Sequence, residues 1–188
     1  MRSSSIVLGA AVALGLAACG STPPPRPTAP PVPLVSTAKM AEANLSSASA
    51  SLVSGRLALV PDAQGVHITG VIGGLQPLQT AAFHVHERGD CSAVDASSAA
   101  GHFNPGAQPH GRNSAGAHHA GDMDNLRADA QGRANVDVRL PAVTLGGGAA
   151  TDIAGRALVV HARADDYRSQ PAGNAGVRIA CGVIRVTR

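Results

Sequence analysis

Two histidines one residue apart, His84 and His86, close the apolar run Ala81-Ala82-Phe83-His84-Val85-His86. In an extended chain successive side chains point to opposite faces, so both imidazoles project one way and Val85 the other. Two imidazoles at that spacing can chelate one metal ion. His161 ends a second run, Leu158-Val159-Val160-His161, and can reach the same ion from a neighbouring strand. Imidazole suits copper and zinc. Between these runs lie His102, His110 and His119-Ala120-Gly121-Asp122. Three imidazoles and a carboxylate form a plausible tetrahedral zinc set. Of the 8 histidines, two stand apart from this grouping. His67 falls mid-strand and reads as an ordinary polar or core residue. His118 adjoins His119 and is easily mistaken for it.

The elements that must hold these side chains read as strands. From about residue 45, short aliphatic runs containing Leu52, Leu57, Leu59, Val66, Ile68, Val71, Val136, Val138, Leu158, Val160, Ile179, Val183 and Val186 alternate with Gly, Pro, Asp and Asn clusters. Asp62-Ala63-Gln64-Gly65 and Asp129-Ala130-Gln131-Gly132 have the composition of hairpin turns. Many short strands with frequent turns predict an all-β sandwich or barrel. Two stretches break the rhythm, about 87–124 and about 162–177. Structureless loops of that length in a compact domain are usually functional, and a metal site would explain their order.

Ahead of this domain, residues 1–19 have the form of an export signal. Arg2 is followed by the apolar run Ile6 to Ala18, too short to span a bilayer comfortably. The run ends in Leu16-Ala17-Ala18-Cys19, which resembles the lipobox of bacterial lipoproteins. That resemblance implies lipidation of Cys19, a periplasmic lipoprotein in the bacterial cell envelope and a membrane anchor. Gly20, where an Asp would favour the inner membrane, points to the outer one. Residues 20–44 read as a flexible tether, with seven prolines between Pro23 and Pro33 that favour extended polyproline II and cannot pack a core. With Cys19 assigned to the signal, Cys91 and Cys181 remain, an even pair in an exported chain, where a disulfide is expected. A bridge between them would close a loop of about 90 residues, stabilising by roughly 4–5 kcal/mol less any strain.

Composition sets further bounds. Charged residues are 14%, aromatics 2%, and the net charge is +3 with the basic residues scattered. No basic run marks a nucleic-acid surface. A core this poor in rings must rest on small aliphatic contacts, helped by metals or a disulfide.

The ordered motifs Phe83-His84-Val85-His86-Glu87, Gly101-His102-Phe103-Asn104-Pro105, His110-Gly111, His119-Ala120-Gly121-Asp122, Leu158 to Asp166, Gly173-Asn174-Ala175-Gly176 and Arg178 to Ile184 closely resemble copper/zinc superoxide dismutases. The resemblance covers about 45–188. It implies an eight-stranded Greek-key β-barrel, with one copper and one zinc per chain held between the barrel wall and two long loops. Position by position, it implies copper on His84, His86, His102 and His161, and zinc on His102, His110, His119 and Asp122. His102 takes the place of the bridging imidazolate. Asp165 takes that of a carboxylate linking His84 to His110. Arg178 takes that of the guanidinium that draws superoxide anion to the copper, and Cys91 and Cys181 that of the disulfide. The second loop, Asp165 to Gly176, departs from the animal pattern and resembles bacterial members. Arg185 stands where animal dimers carry a small residue, which leaves a monomer or a dimer of another type.

The implied activity is conversion of superoxide to oxygen and hydrogen peroxide, with His102 carrying a proton. Two other classes compete, a copper-buffering envelope lipoprotein without turnover and a structural envelope protein with incidental histidines. Retention of the copper ligands and of Arg178 argues against the first, and metal analysis of the purified protein decides the second.

Overall fold

A computed structural model of the chain describes residues 35–188. The lipid signal, Cys19 and most of the expected tether lie outside those residues. Among the described residues no helix is long and apolar enough to cross a membrane.

Nine strand segments make the domain: β1 (Ala41–Ser47), β2 (Ser54–Asp62), β3 (Gly65–Gly73), β4 (Thr80–Ala81), β5 (Phe83–His86), β6 (Leu126–Arg127), β7 (Ala134–Pro141), β8 (Ala157–His161) and β9 (Arg178–Val186). Seven form one antiparallel sheet in the order β5-β8-β9-β1-β2-β3-β7, and β4 pairs with β6. Only Ala82 separates β4 from β5. Its N–H donates to Arg163 O and its carbonyl accepts from His161 N–H. Counted as paths, β4 and β5 are one bent strand, which gives the eight of a Greek-key barrel. The sheet curls, and the β4–β6 pair joins the path of one edge strand, β5, to the segment leading into the other, β7.

The alternation that predicts strands also fills the barrel. Leu57, Leu59, Val66, Ile68, Phe83, Val85, Leu158, Val160 and Ile184 are buried in a single cluster. Phe83 and Phe103 are its only rings beyond the histidines, so aliphatic side chains supply most of the buried surface. The Asp62–Gly65 turn links β2 to β3 in register, Asp62 opposite Gly65. The Asp129–Gly132 turn forms too, but it joins β6 to β7 while β6 pairs with β4.

Two boundaries differ from the sequence reading. The domain starts before residue 45: β1 pairs with β2 and β9 from Ala41, and Ala38, Ala41 and Ala43 are buried in the core. Alanines beside a proline-rich tract carry little periodic signal, so residues 36–44 read as tether although they belong to the barrel. Leu52 lies ahead of β2 and is exposed. A third long connection, 142–156, joins β7 to β8. Its order comes from Asp152, whose carboxylate accepts from the N–H groups of Gly146, Gly148 and Ala154.

Candidate metal centre

On β5 the two faces separate as the alternation requires. Phe83 and Val85 join the core, while His84 and His86 point out toward the loops and are buried beneath them. β8 pairs with β5, and a register shift between Val160 and His161 marks the point where its last side chain is aimed. His86 Nε2 and His161 Nε2 come within 3.3 Å. The first long loop returns along β5 through main-chain bonds. Phe103 N–H donates to Val85 O, Gly121 N–H to Phe103 O, and Val85 N–H to Gly121 O. These bonds place His102 beside His86 and Asp122 beside His84. The approach requires glycine at 121, since a Cβ there would stand 2.3 Å from Val85 O.

Two groups of four donors result, His84, His86, His102 and His161, and His102, His110, His119 and Asp122. Within each, one donor atom per residue lies within 4.8 Å of the others, and all seven residues are buried. His102 belongs to both. The Asp122 carboxylate lies 2.8 Å from His102 Nδ1, 3.0 Å from His110 Nδ1 and 3.3 Å from His119 Nδ1. It also accepts from the N–H groups of Gly111 and His119.

The opposite ring nitrogens are tied down. His84 Nε2 and His110 Nε2 reach the two oxygens of Asp165, at 2.8 and 2.9 Å. His86 Nδ1 lies 2.9 Å from Ala100 O and His161 Nδ1 3.3 Å from Gly176 O. Such partners fix the ring orientation and tautomer of metal ligands. Asp165 is walled in by Gly173, at φ +62, where a Cβ would come 1.8 Å from its Oδ1.

Among the described residues, two buried histidine nitrogens have neither a hydrogen-bond nor an ion-pair partner: His84 Nδ1 and His102 Nε2. Each is the atom its ring turns toward the other members of its group. Buried polar groups are normally paired, so these nitrogens fit metal ions. The imidazole and carboxylate donors suit copper in the first group and zinc in the second.

Electrostatics separate the groups. Burial, with smaller repulsion from the neighbouring rings, holds His161 at about 3. Burial likewise holds His102 at about 4, against its bond to Asp122. It also keeps His86 well below the ordinary value. His110 goes the other way: burial opposes its charge, but hydrogen bonds to Asp122 and Asp165 outweigh that and raise it to about 9. Burial favours protonation of Asp122 and Asp165, yet their histidine partners hold both below the usual carboxylate range.

Arg178 opens β9. Its Nη1 and Nη2 donate to Ala96 O and Ala100 O, both at 2.6 Å. With His161, Gln170, Asn174 and Gly176 it lines a cavity of about 390 Å³ at the mouth of the first group. Cys91 and Cys181 are disulfide-bonded, tying the first loop to β9. The two remaining histidines stay outside. His67 Nε2 lies 2.6 Å from Asp137 on the barrel surface, and His118 borders a separate cavity of about 480 Å³.

The profile of the family described as copper/zinc superoxide dismutase matches residues 53–184. This chain belongs to that family. It is an oxidoreductase of the superoxide dismutase class. The Cu-Zn superoxide dismutase 2 of Aquifex aeolicus is 47% identical over 136 residues, 71% of this chain and 80% of its own length. The Cu-Zn superoxide dismutase of Caulobacter vibrioides is 39% identical over 137 residues, 70% of this chain and 78% of its own. The crystal structure of a superoxide dismutase-like protein from Bacillus subtilis superposes with a TM-score of 0.67 at 34% identity, covering 75% of this chain and 95% of that one. Membership implies copper and zinc, and the histidine clusters supply candidate sites for both.

Two features of the site escaped the sequence reading. One is the pair of carbonyls, Ala96 and Ala100, that fix Arg178; main-chain acceptors leave no trace in residue type. The other is Gln170, which grips the main chain of His110. Its position in Ser169-Gln170-Pro171 was visible, but not its target 60 residues away.

Proposed function

We propose that this protein removes superoxide outside the cytoplasm, tethered by lipid to the outer membrane. In this reading one copper is held by His84, His86, His102 and His161, and one zinc by His102, His110, His119 and Asp122. The carrying observation is the pair of buried four-donor groups that meet at His102, where His84 Nδ1 and His102 Nε2 have no partner.

Copper, when bound, supplies a one-electron couple, so that two superoxide anions and two protons yield oxygen and hydrogen peroxide. The chain's own residues do the rest. Arg178 offers five N–H donors, of which two are used on carbonyls, leaving three for a small anion at the mouth. Its charge persists at any relevant pH, and such a site draws anions by long-range attraction. His102 Nε2 is the place where a proton is held and passed on, because its other nitrogen stays fixed toward Asp122. Asp165 keeps His84 and His110 in one orientation through that change.

The envelope assignment rests on Leu16-Ala17-Ala18-Cys19, Gly20 and the proline tract. Mass spectrometry of membrane-extracted protein tests it. A chain beginning at Cys19 with more than one acyl chain supports it, since stable anchoring takes two signals. A soluble, unmodified form alone from the native host rejects it. For the enzyme, metal analysis and superoxide decay are measured on the same sample. About one copper and one zinc per chain with rapid decay is expected. Full metal content without decay would favour a copper buffer instead.

A further inference from the structure

We propose that Gln170 is a positioning residue for the zinc ligand His110, and that the second loop thereby sets how firmly zinc is retained. The inference rests on the zinc assignment above.

The main chain around the other ligands is held without the second loop. His84, His86 and His161 lie in strands, His102 bridges to His86, and His119 and Asp122 bond to one another. His110 lies in a loop segment, Gln108-Pro109-His110-Gly111, with no strand beside it. Both of its main-chain polar groups go to one side chain. Its N–H donates to Gln170 Oε1 at 2.8 Å, and its carbonyl accepts from Gln170 Nε2 at 2.9 Å. The amide thus pairs with His110 as a neighbouring strand would. An N–H needs the oxygen and a carbonyl needs the nitrogen, so the two bonds fix which end of the amide is which.

The same loop holds the His110 ring. Asp165 accepts from Nε2, and Gly173 packs against that contact. His110 is therefore gripped at main chain and ring by a segment separate from its own. Without Gln170, water can satisfy the N–H and carbonyl of His110 but cannot hold them in a fixed direction, so the local backbone is free to shift. The second loop also lines the mouth of the copper group, so a residue at the entrance would govern the zinc behind it.

The test compares the parent protein, Gln170→Ala and Ser169→Ala. The Ser169 hydroxyl bonds Asp166 inside the loop, so its loss loosens the loop without touching His110. Copper-loaded protein is filled with cobalt(II) as a visible probe of tetrahedral geometry, or with zinc, and release to a chelator is followed. Loss of a supporting partner weakens metal binding by about 10- to 100-fold. Release from Gln170→Ala should therefore be at least about tenfold faster, with an altered cobalt spectrum, while copper is kept and Ser169→Ala stays within about twofold of the parent. Parent protein that takes up neither cobalt nor zinc overturns the zinc site and this inference with it. Parent protein that holds zinc while Gln170→Ala releases it at the same rate overturns the inference alone. Equal acceleration in both variants, or copper lost alongside zinc, also overturns it, because general loosening then accounts for the effect.

Discussion

Arg178 and His86 converge on one atom. The carbonyl oxygen of Ala100 lies 2.6 Å from Arg178 Nη2 and 2.9 Å from His86 Nδ1. The guanidinium at the cavity mouth and a candidate metal ligand are thus referenced to the same point on the first loop. A shift of that loop moves both together, which keeps their separation constant.

Arg178→Ala should slow superoxide decay by about tenfold or more, because losing about 1.4 kcal/mol of anion stabilisation is already a tenfold effect. Copper and zinc content should not change, since His86 keeps its bond to Ala100. Arg178→Lys should fall between, keeping the charge but losing the fork that spans Ala96 and Ala100. Added salt should slow the parent more than the Ala variant, as screening weakens long-range attraction. Pulse radiolysis at several ionic strengths reads all three. An unaltered rate in metal-loaded Arg178→Ala would remove Arg178 from the reaction.

Asp165→Asn should uncouple the two groups. The carboxylate accepts from His84 and His110 with separate oxygens, whereas an amide has one oxygen and turns its NH2 toward the other ring. Zinc affinity should fall by about 10- to 100-fold, the usual cost of losing such a partner. Competition with a chromogenic chelator measures it. Affinity within twofold of the parent would show that the link is dispensable.

The candidate ligand set was legible because chemistry restricts residue type at those positions, and Val85 between two histidines betrays the strand. The two long loops were visible through their glycines and prolines. Other features were hidden for physical reasons. The start of β1 lies in alanine and polar residues with little contrast. Ala96, Ala100 and Gly176 serve through carbonyl oxygens, which every residue owns. Gln170 acts at a distance in sequence that only the folded loops close.

Metal-free protein should be most stable near pH 6.5. His102 and His161, at about 4 and about 3, and His86, also lowered, stay neutral when folded. Below pH 6.5 the unfolded chain binds protons that the folded chain refuses, so stability falls with pH. With up to 1.4 kcal/mol per pH unit from each histidine, about 2–4 kcal/mol should be lost between pH 6 and 5. His110, raised to about 9, acts oppositely. Its contribution is complete below 6.5 and disappears as pH rises through 9. Metal ligation needs neutral rings, so the loaded protein should lack the alkaline decline. Denaturant unfolding of metal-free and loaded protein at pH 5, 6.5 and 9 tests both limbs. A metal-free protein more stable at pH 5 than at 6.5 would contradict the burial argument.

Removing the disulfide should affect both stability and turnover. Cys91 lies in the first loop, and Cys181 follows Arg178 by three residues on β9. The bridge therefore holds together the two segments that Arg178 also joins through Ala96 and Ala100. Cys91→Ala with Cys181→Ala avoids placing a hydroxyl in the small cluster of Ala48, Ala157 and Val159 around Cys181. The double variant should unfold about 2–5 kcal/mol more readily, the usual cost of losing such a bridge. In fully metal-loaded protein at low temperature, superoxide decay should also slow severalfold, because the acceptors of Arg178 are no longer anchored to β9. Combining it with Arg178→Ala separates the two effects. If the bridge acts on turnover through Arg178, its removal should add little once the guanidinium is gone. Full additivity of the two rate losses would mean that the bridge acts on the metal ligands instead.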